Sequence, residues 1–347
     1  MMSKQVQEGG DQSTNIQAEN INIHGISYED AKAIALDVFQ NNFMQLSQEA
    51  AEIARERAEQ ITEKFLNELH TQNNEGVINA KDPDFQHALF SVQKDFARTG
   101  DEELGDLLVD LLVDRTKQEN RSILQIVLNE SLATAPKLIP EQLAALSVIF
   151  IFKNSIHHGI NNLESLGNYL DVHISPFAEL LTKNASCYQH LEFTGCGSIS
   201  MGASSIGGIL RQRYGGVFSK GFTPEELTNK EIDIAVESPI FAKCLHDEGK
   251  LQINAISEEV LRSEAQRHGI DQQNTNKLVG LNNSTLMNDN EIRDFLVGLR
   301  PYMKNVFDVW EGSFMKNMSL TSVGIAIGHA NLKRHIGEFT DLSIWIN

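Results

Sequence analysis

Apolar residues recur three and four apart early in the chain: Ile34, Val38, Phe39, Phe43, Leu46, Ala50, Ile53, Ala54, Ala58, Ile61, Phe65 and Leu69. That spacing places them on one face of an α-helix. No proline or glycine interrupts residues 26–75, Ser27 suits an N-cap, and Asp30 stands where a capping-box partner would. The pattern predicts one helix from Ser27 to about His70, ~60 Å long at 1.5 Å per residue. A helix of that length does not fit inside one compact domain, so its apolar stripe predicts a partner, most simply a second copy. Arg57 falls on the stripe, so this is no clean heptad zipper. Ahead of the helix, polar and apolar residues alternate. Ile16 and Ala18 share one phase, Ile21 and Ile23 another, with a slip at Glu19-Asn20. Two very short strands or a bulge follow. The expected assembly pairs Ile16, Ala18, Ile21 and Ile23 between subunits and packs Ile53, Ala54, Ala58, Ile61 and Phe65 in a stalk. The alternative is a long helix folded back on its own body.

Further helices follow from caps and periodicity. Asp82-Pro83 opens one to about Arg98. Another runs from Asp101 through Leu104, Leu107, Leu108, Leu111 and Leu112 to Arg115, with an acidic start and a basic end that suit the helix dipole. Others cover Asn120 to Thr134 and Pro140 to about Asn154; the latter is strongly apolar and is expected at the centre of the core. Ser175-Pro176 and Thr223-Pro224 start short helices, and Ile240–Glu248, Ser257–Arg267 and Asn290–Lys304 read as helical. At the end come a short strand at Met318 to Leu320, a helix over Thr321 to His335 and a terminal strand over Leu342 to Ile346. The fold class is mainly α: a helical body, a short N-terminal β segment leading into a long helix, and a small α/β C-terminal element. The expected division is a disordered tail over 1–11, an oligomerisation segment over 12–75, a helical core over 80–221 and a C-terminal helical domain over 222–347.

Charge narrows the partners. The chain carries 47 Asp and Glu against 29 Lys and Arg, a net charge of −18, which disfavours nucleic-acid backbones and anionic membranes. Its three cysteines, Cys187, Cys196 and Cys244, form no disulfide framework. The first ten residues lack a signal peptide's apolar stretch, and the most apolar run, Ala144 to Phe152, is about half a membrane span. A cytoplasmic protein with no stable membrane insertion and no cofactor is expected.

Several side chains invite chemistry. Gly195 to Ser204 is rich in Gly, Ser and Ala. As a phosphate loop it lacks the lysine, since Ala203 stands in its place. As a nucleophile elbow it offers Ser200 before Gly202, but Ser198 replaces the first glycine. Cys187 and His190 lie three apart and could share a helical face as a thiolate–imidazolium pair. Cys196 with His190 lacks four-ligand metal spacing. The adjacent His157 and His158 cannot both face one way on a helix. Asp106, Asp110 and Asp114 repeat every four residues, as in a metal row or the charged face of an amphipathic helix. His329 with Lys333 and Arg334 makes either a small anion site or a solvated face. No metal site is expected. The enzymatic alternative is a hydrolase using Ser200 or Cys187 with His190.

Two segments and a central region carry a resemblance. Gly10-Asp11-Gln12-Ser13-Thr14-Asn15-Ile16-Gln17-Ala18, followed by Ile21-Asn22-Ile23, resembles the N-termini of many bacterial proteins, several of them uncharacterised or defence-related. Leu320-Thr321-Ser322-Val323-Gly324 resembles a Leu-Thr-x-x-Gly segment found in some bacterial abortive-infection-like families. Together with Leu128-Asn129-Glu130, Ala135-Pro136-Lys137-Leu138, Leu143 and Ile149-Phe150, the chain is similar to a family of uncharacterised bacterial proteins. The resemblance transfers no catalytic residue. The apolar stripe and the lack of a catalytic signature lead to a non-enzymatic, homo-oligomeric interaction or sensor protein, and the resemblance implies a setting in bacterial anti-phage or stress defence. A membrane-perturbing effector that releases Ala144 to Phe152 from the core is the other alternative.

Overall fold

The apolar stripe of the early chain forms two helices, α1 (Tyr28–Asn42) and α2 (Gln48–Gln72), where one was expected. The computed structural model describes residues 28–42, 48–73, 82–118, 121–337 and 339–346. Ile16, Ala18, Ile21, Ile23 and the tail before them lie outside the described residues, as do residues 43–47. Lys32 Nζ lies 2.6 Å from Glu63 Oε1 and 3.1 Å from Glu59 Oε1. In a straight helix those 31 residues would span ~46 Å. So α1 lies back along α2.

A third helix, α3 (Pro83–Thr99), closes over the pair. Asp82 caps it by accepting from the Phe85 amide at 2.9 Å, with Pro83 at the first position. Gln93 on α3 is buried, and its Nε2 donates to Ala35 O at 3.2 Å and to Thr62 Oγ1 at 2.9 Å. One side chain therefore ties three helices. Ala54, Ala58, Ile61 and Phe65 are all buried, and Ala54 and Ala58 pack with Phe39 and Ala97 of this same chain. The stripe read as an intersubunit stalk is thus an internal packing face. The physical reason is size: alanine at its centre lets α1 and α3 approach closely enough to cover it. Ile53 alone of the five stays exposed, at 50%.

The chain continues with α4 (Glu102–Thr116), α5 (Ile123–Thr134) and α6 (Pro140–Ile149). A π-helical turn at Phe150–Asn154 ends α6. Then come α7 (Leu163–His173), α8 (Ser175–Ala178), α9 (Ala185–Phe193), β1 (Gly197–Ile199), α10 (Ile206–Tyr214) and α11 (Pro224–Asn229). They are followed by β2 (Phe241–Lys243), β3 (Leu251–Ile253), α12 (Glu258–Arg267), α13 (Gln272–Thr285), α14 (Asp289–Leu299) and α15 (Met303–Gly312). The last elements are β4 (Met318–Leu320) and α16 (Ser322–Ile336). The fold is mainly α, with two small antiparallel ladders, β1–β4 and β2–β3, among the described residues.

Helix α16 runs through the middle, packed against α4, α5, α6 and α7. From Gln142 to Ile149 every residue of α6 is buried, as its apolar sequence predicts. The terminal Leu342–Ile344 forms a 3-10 turn rather than a strand. Asp341 accepts from the Ser343 amide to start that turn, and Trp345 Nε1 donates to Asn154 O at 2.8 Å, so the end docks by its ring. The helix expected at Ile240–Glu248 is the β2 strand, which pairs Phe241 with Ile253 and Lys243 with Leu251. A second apolar core is built from residues between Phe222 and Leu281, and from Met287 the chain rejoins the first core. No helix among the described residues is long and apolar enough to cross a membrane.

Candidate functional site: a charged cleft

Three helices and the segment after α16 enclose a charged cleft. From α2 come Glu68 and Gln72, from α4 Asp110 and Asp114, and from α16 Lys333. Its larger arm, of about 540 Å³, reaches His329 and Asp341; the smaller, of about 310 Å³, reaches Lys64 and Arg334. Glu68, Gln72, Lys333 and Gly337 line both arms. By contrast, the apolar gap between α1, α2 and α3 is about 10 Å³, too small for more than one water.

Helical spacing builds the cleft wall. Asp106, Asp110 and Asp114 sit four apart on α4 and so share a face. That face meets the cationic end of α16. Lys333 Nζ lies 3.0 Å from Gln72 Oε1 and 3.4 Å from Asp114 Oδ1. Lys117 Nζ reaches the same carboxylate oxygen at 2.6 Å. Lys64 pairs with Asp106, and Arg334 donates to the Glu103 carbonyl. Asp114 is buried, Asp110 is half-buried and the Asp106 side chain is 40% exposed, so the acidic row runs from the rim of the cleft into its floor.

His329 stands at the back of the larger arm and is 2% exposed. Its Nε2 donates to Thr340 O at 2.7 Å. Rings of Phe150, Phe339 and Trp345 surround it at centroid distances of 5.9, 5.2 and 5.6 Å. Burial lowers its pKa, so the imidazole is neutral near pH 7. With the proton on Nε2, Nδ1 is an acceptor, and it has no hydrogen-bond partner among the described residues.

Asp110 is lifted to about 6 from the ordinary 3.8, first by burial, then by the negative charges of Asp114 and Glu68, against the pull of Lys333 and Arg334. The folded chain therefore holds a proton that the unfolded chain releases between about pH 4 and 6. This group's contribution to stability falls as pH rises through that window, and above it the cost of the buried charge is fully present. Asp110→Asn should raise stability at pH 7 by about 1–3 kcal/mol and by nothing from this cause below pH 4. Denaturant midpoints of both proteins at pH 7 and below pH 4 check this; an equal difference at both ends would refute it.

The other candidates remain apart. Ser200 is exposed just after β1, and its hydroxyl donates to Asn317 O at 3.1 Å and Gly202 O at 3.3 Å. The strand before it belongs to a two-stranded antiparallel ladder, not the parallel sheet of a nucleophile elbow. Cys187 is buried, and burial with the nearby Glu141 charge pushes its thiol up to about 11, opposite to what a thiolate nucleophile needs. Nearby, Gln142 Nε2 donates to Cys187 O at 2.8 Å and lies 3.0 Å from His190 Nδ1. No hydrogen bond among the described residues joins Ser200, Cys187 and His190. His157 meets His173 and Tyr169, not His158, with ring centroids 5.4 and 5.2 Å away. No group of three or more His, Cys, Asp and Glu among the described residues could hold a metal ion.

The acidic row of α4 and the His329–Lys333–Arg334 group each stand out in the sequence. Glu68, Gln72, Lys117 and Asp341 do not. Nothing local marks them, because the cleft joins residues more than 250 positions apart, such as Gln72 and Lys333.

Comparison with known proteins gives a family and no activity. A family model described as ":-like" matches residues 25–346. No curated protein and no solved structure matches the chain.

Proposed function

The chain belongs to that family, and from this premise we propose a non-enzymatic binding or sensor protein whose ligand site is the cleft between α2, α4 and α16. One observation carries the reading. The cleft is concave, about 540 Å³ in its larger arm, and is lined by paired charges from three helices that would fix a ligand's orientation. The groups a hydrolase would use speak against catalysis. Ser200 spends its proton on backbone carbonyls, and the Cys187 thiol is held protonated. The likeness of the Leu320–Gly324 segment to abortive-infection-like families supports a setting in bacterial anti-phage or stress defence.

The test is a thermal-unfolding screen of the full chain against small amines, amino acids, carboxylates and phosphates. Each is repeated with Thr71→Trp, which places a large ring at the exposed rim of the larger arm. At least one class should raise the melting temperature of the native chain and lose that effect in the variant. The reading fails if no class shifts it, or if ester hydrolysis appears and vanishes with Ser200→Ala.

A further inference from the structure

The segment that joins the π-helical turn to α7 is anchored at both ends and held over its middle by a histidine. At its start, Arg213 Nη1 donates to Phe152 O at 2.6 Å and to Ser155 O, and Arg213 Nη2 donates to Lys153 O at 2.8 Å. At its end Ile160 is buried and Asn162 caps α7. Between these anchors, residues 156–159 are exposed. His157 N donates to Tyr214 Oη of α10 at 2.8 Å. The His157 ring lies against Tyr169 and His173 of α7, with centroids 5.2 and 5.4 Å away, and those two rings stack on each other at 4.7 Å. Gly159 N donates back to His157 Nδ1 at 3.2 Å. Glycine lets the backbone pass this close, since a methyl group there would lie 2.7 Å from the His157 ring.

A ring nitrogen that accepts carries no hydrogen, so the neutral His157 imidazole holds its proton on Nε2. A second proton puts an N–H on Nδ1, which then meets the Gly159 N–H donor to donor, and that bond is lost. His173 donates from Nδ1 to Tyr169 O at 3.1 Å and keeps that bond in either state. Its protonation instead sets a positive charge beside that of His157. Burial lowers the His173 pKa from 6.5, helped by the charge of His157 and opposed by the Tyr169 carbonyl. The stability this contributes is complete above about pH 6.5 and is lost as pH falls through the lowered value. The surrounding charges do not offset the pair. Arg213 is a cation at the base of the segment, and Lys153 of the π-helical turn donates to Lys316 O and Met318 O. Of the carboxylates on α7, Asp171 is held by Arg300 and Tyr302, and Glu164 stands two turns before it on the same face. We propose that residues 156–159 form an acid-released latch: protonation of His157 and His173 lifts the segment off α7 and α10 and bares the Tyr169 ring. Tyr169 is 6% exposed, whereas Val172, three residues on along α7, and Ile156 are exposed already. Release joins them into one apolar patch that exists in acid and not at neutral pH.

The test is amide hydrogen exchange of the full chain at about pH 7.5 and about pH 5, expressed as protection relative to the intrinsic rate at each pH. Protection of the His157, Gly159 and Ile160 amides should fall about tenfold or more in acid, as hydrogen bonds and a ring contact are lost, while protection in α6 stays. The double variant His157→Asn with His173→Asn should keep its protection at both pH values. An asparagine oxygen at 157 can accept from Gly159 N as Nδ1 does, an asparagine amide at 173 can donate to Tyr169 O, and neither titrates. A second readout needs no variant. In the native chain the Gly159 amide proton resonance should move with the same midpoint as the 15N resonances of the His157 ring. Equal protection of the segment at both pH values, a fall that persists in the double variant, or a Gly159 resonance that does not follow the His157 ring overturns the proposal. A fall that includes α6 is global acid unfolding and overturns it as well.

Discussion

Gly324→Ala should destabilise the protein by about 3 kcal/mol or more and lower its melting temperature by at least ~5 °C. A methyl group added at Gly324 would lie 1.8 Å from Cys196 O and 2.8 Å from Cys196 C. Both are backbone atoms, so no rotamer change relieves the contact. The start of α16 is held there by three further bonds. Thr321 N donates to Cys196 O at 3.1 Å, Thr321 Oγ1 donates to Gly195 O, and Thr321 Oγ1 accepts from Gly324 N at 3.2 Å. Just before it, β4 pairs Leu320 with Gly197. Relieving the clash means moving α16 off β1, and α16 packs against α4, α5, α6 and α7. The Leu-Thr-x-x-Gly segment thus has a mechanical reading. Threonine caps the helix, and glycine lets it touch the strand that the leucine pairs with. Gly280 on α13 is the control, because an added methyl there meets nothing within 4 Å. Gly280→Ala should instead stabilise by ~0.5–1 kcal/mol, as alanine restricts the unfolded chain and favours helix. Thermal unfolding of the two variants decides; equal shifts would refute the close-contact argument.

What the sequence discloses here is local chemistry. Asp82-Pro83, Asp101 and Thr321 mark helix starts because their carboxylates or hydroxyls accept from amides two or three residues on. The strongly apolar α6 announces its own burial. Two kinds of information are absent. First, an apolar stripe says that a face is covered, not what covers it. Nothing between Ile26 and Glu75 breaks a helix by composition, yet α1 and α2 lie side by side. Second, the cleft is assembled by tertiary packing. Asp110 and Asp114 read as the outer face of an amphipathic helix until α2 and α16 close over them, and only then does burial lift the Asp110 carboxyl. The same blindness affects the end of the chain. Leu342 to Ile346 alternates like a strand, but Asp341 caps a single 3-10 turn there, and Trp345 anchors it to the end of the π-helical turn.

Ala58→Glu separates a self-covered stripe from an intersubunit seam. Ala58 is 0% exposed and packs with Phe39, Ala54 and Ala97, which come from α1, α2 and α3 of one chain. A glutamate there must either stay ionised away from water or take up a proton, and in both states it needs volume the packing lacks. A loss of about 3 kcal/mol or more is expected, with the proteins compared by denaturant midpoint. Ile53→Glu, one turn away on the exposed side, should stay within ~0.5 kcal/mol of the native chain. Were the stripe a contact between copies, Ala58→Glu would keep its unfolding midpoint and lose only mass in sedimentation, because the isolated subunit would let the charge reach solvent. The covered stripe predicts the reverse: the midpoint falls, and while the variant remains folded its sedimentation coefficient matches that of the native chain. Since Lys32 pairs with Glu59 and Glu63 of α2, Ala35 is linked to Thr62 through Gln93, and Phe39 packs with Ala54 and Ala58, the damage should also loosen α1 first. Amide exchange in Tyr28–Asn42 then rises before exchange in α6, which lies in the centre of the core.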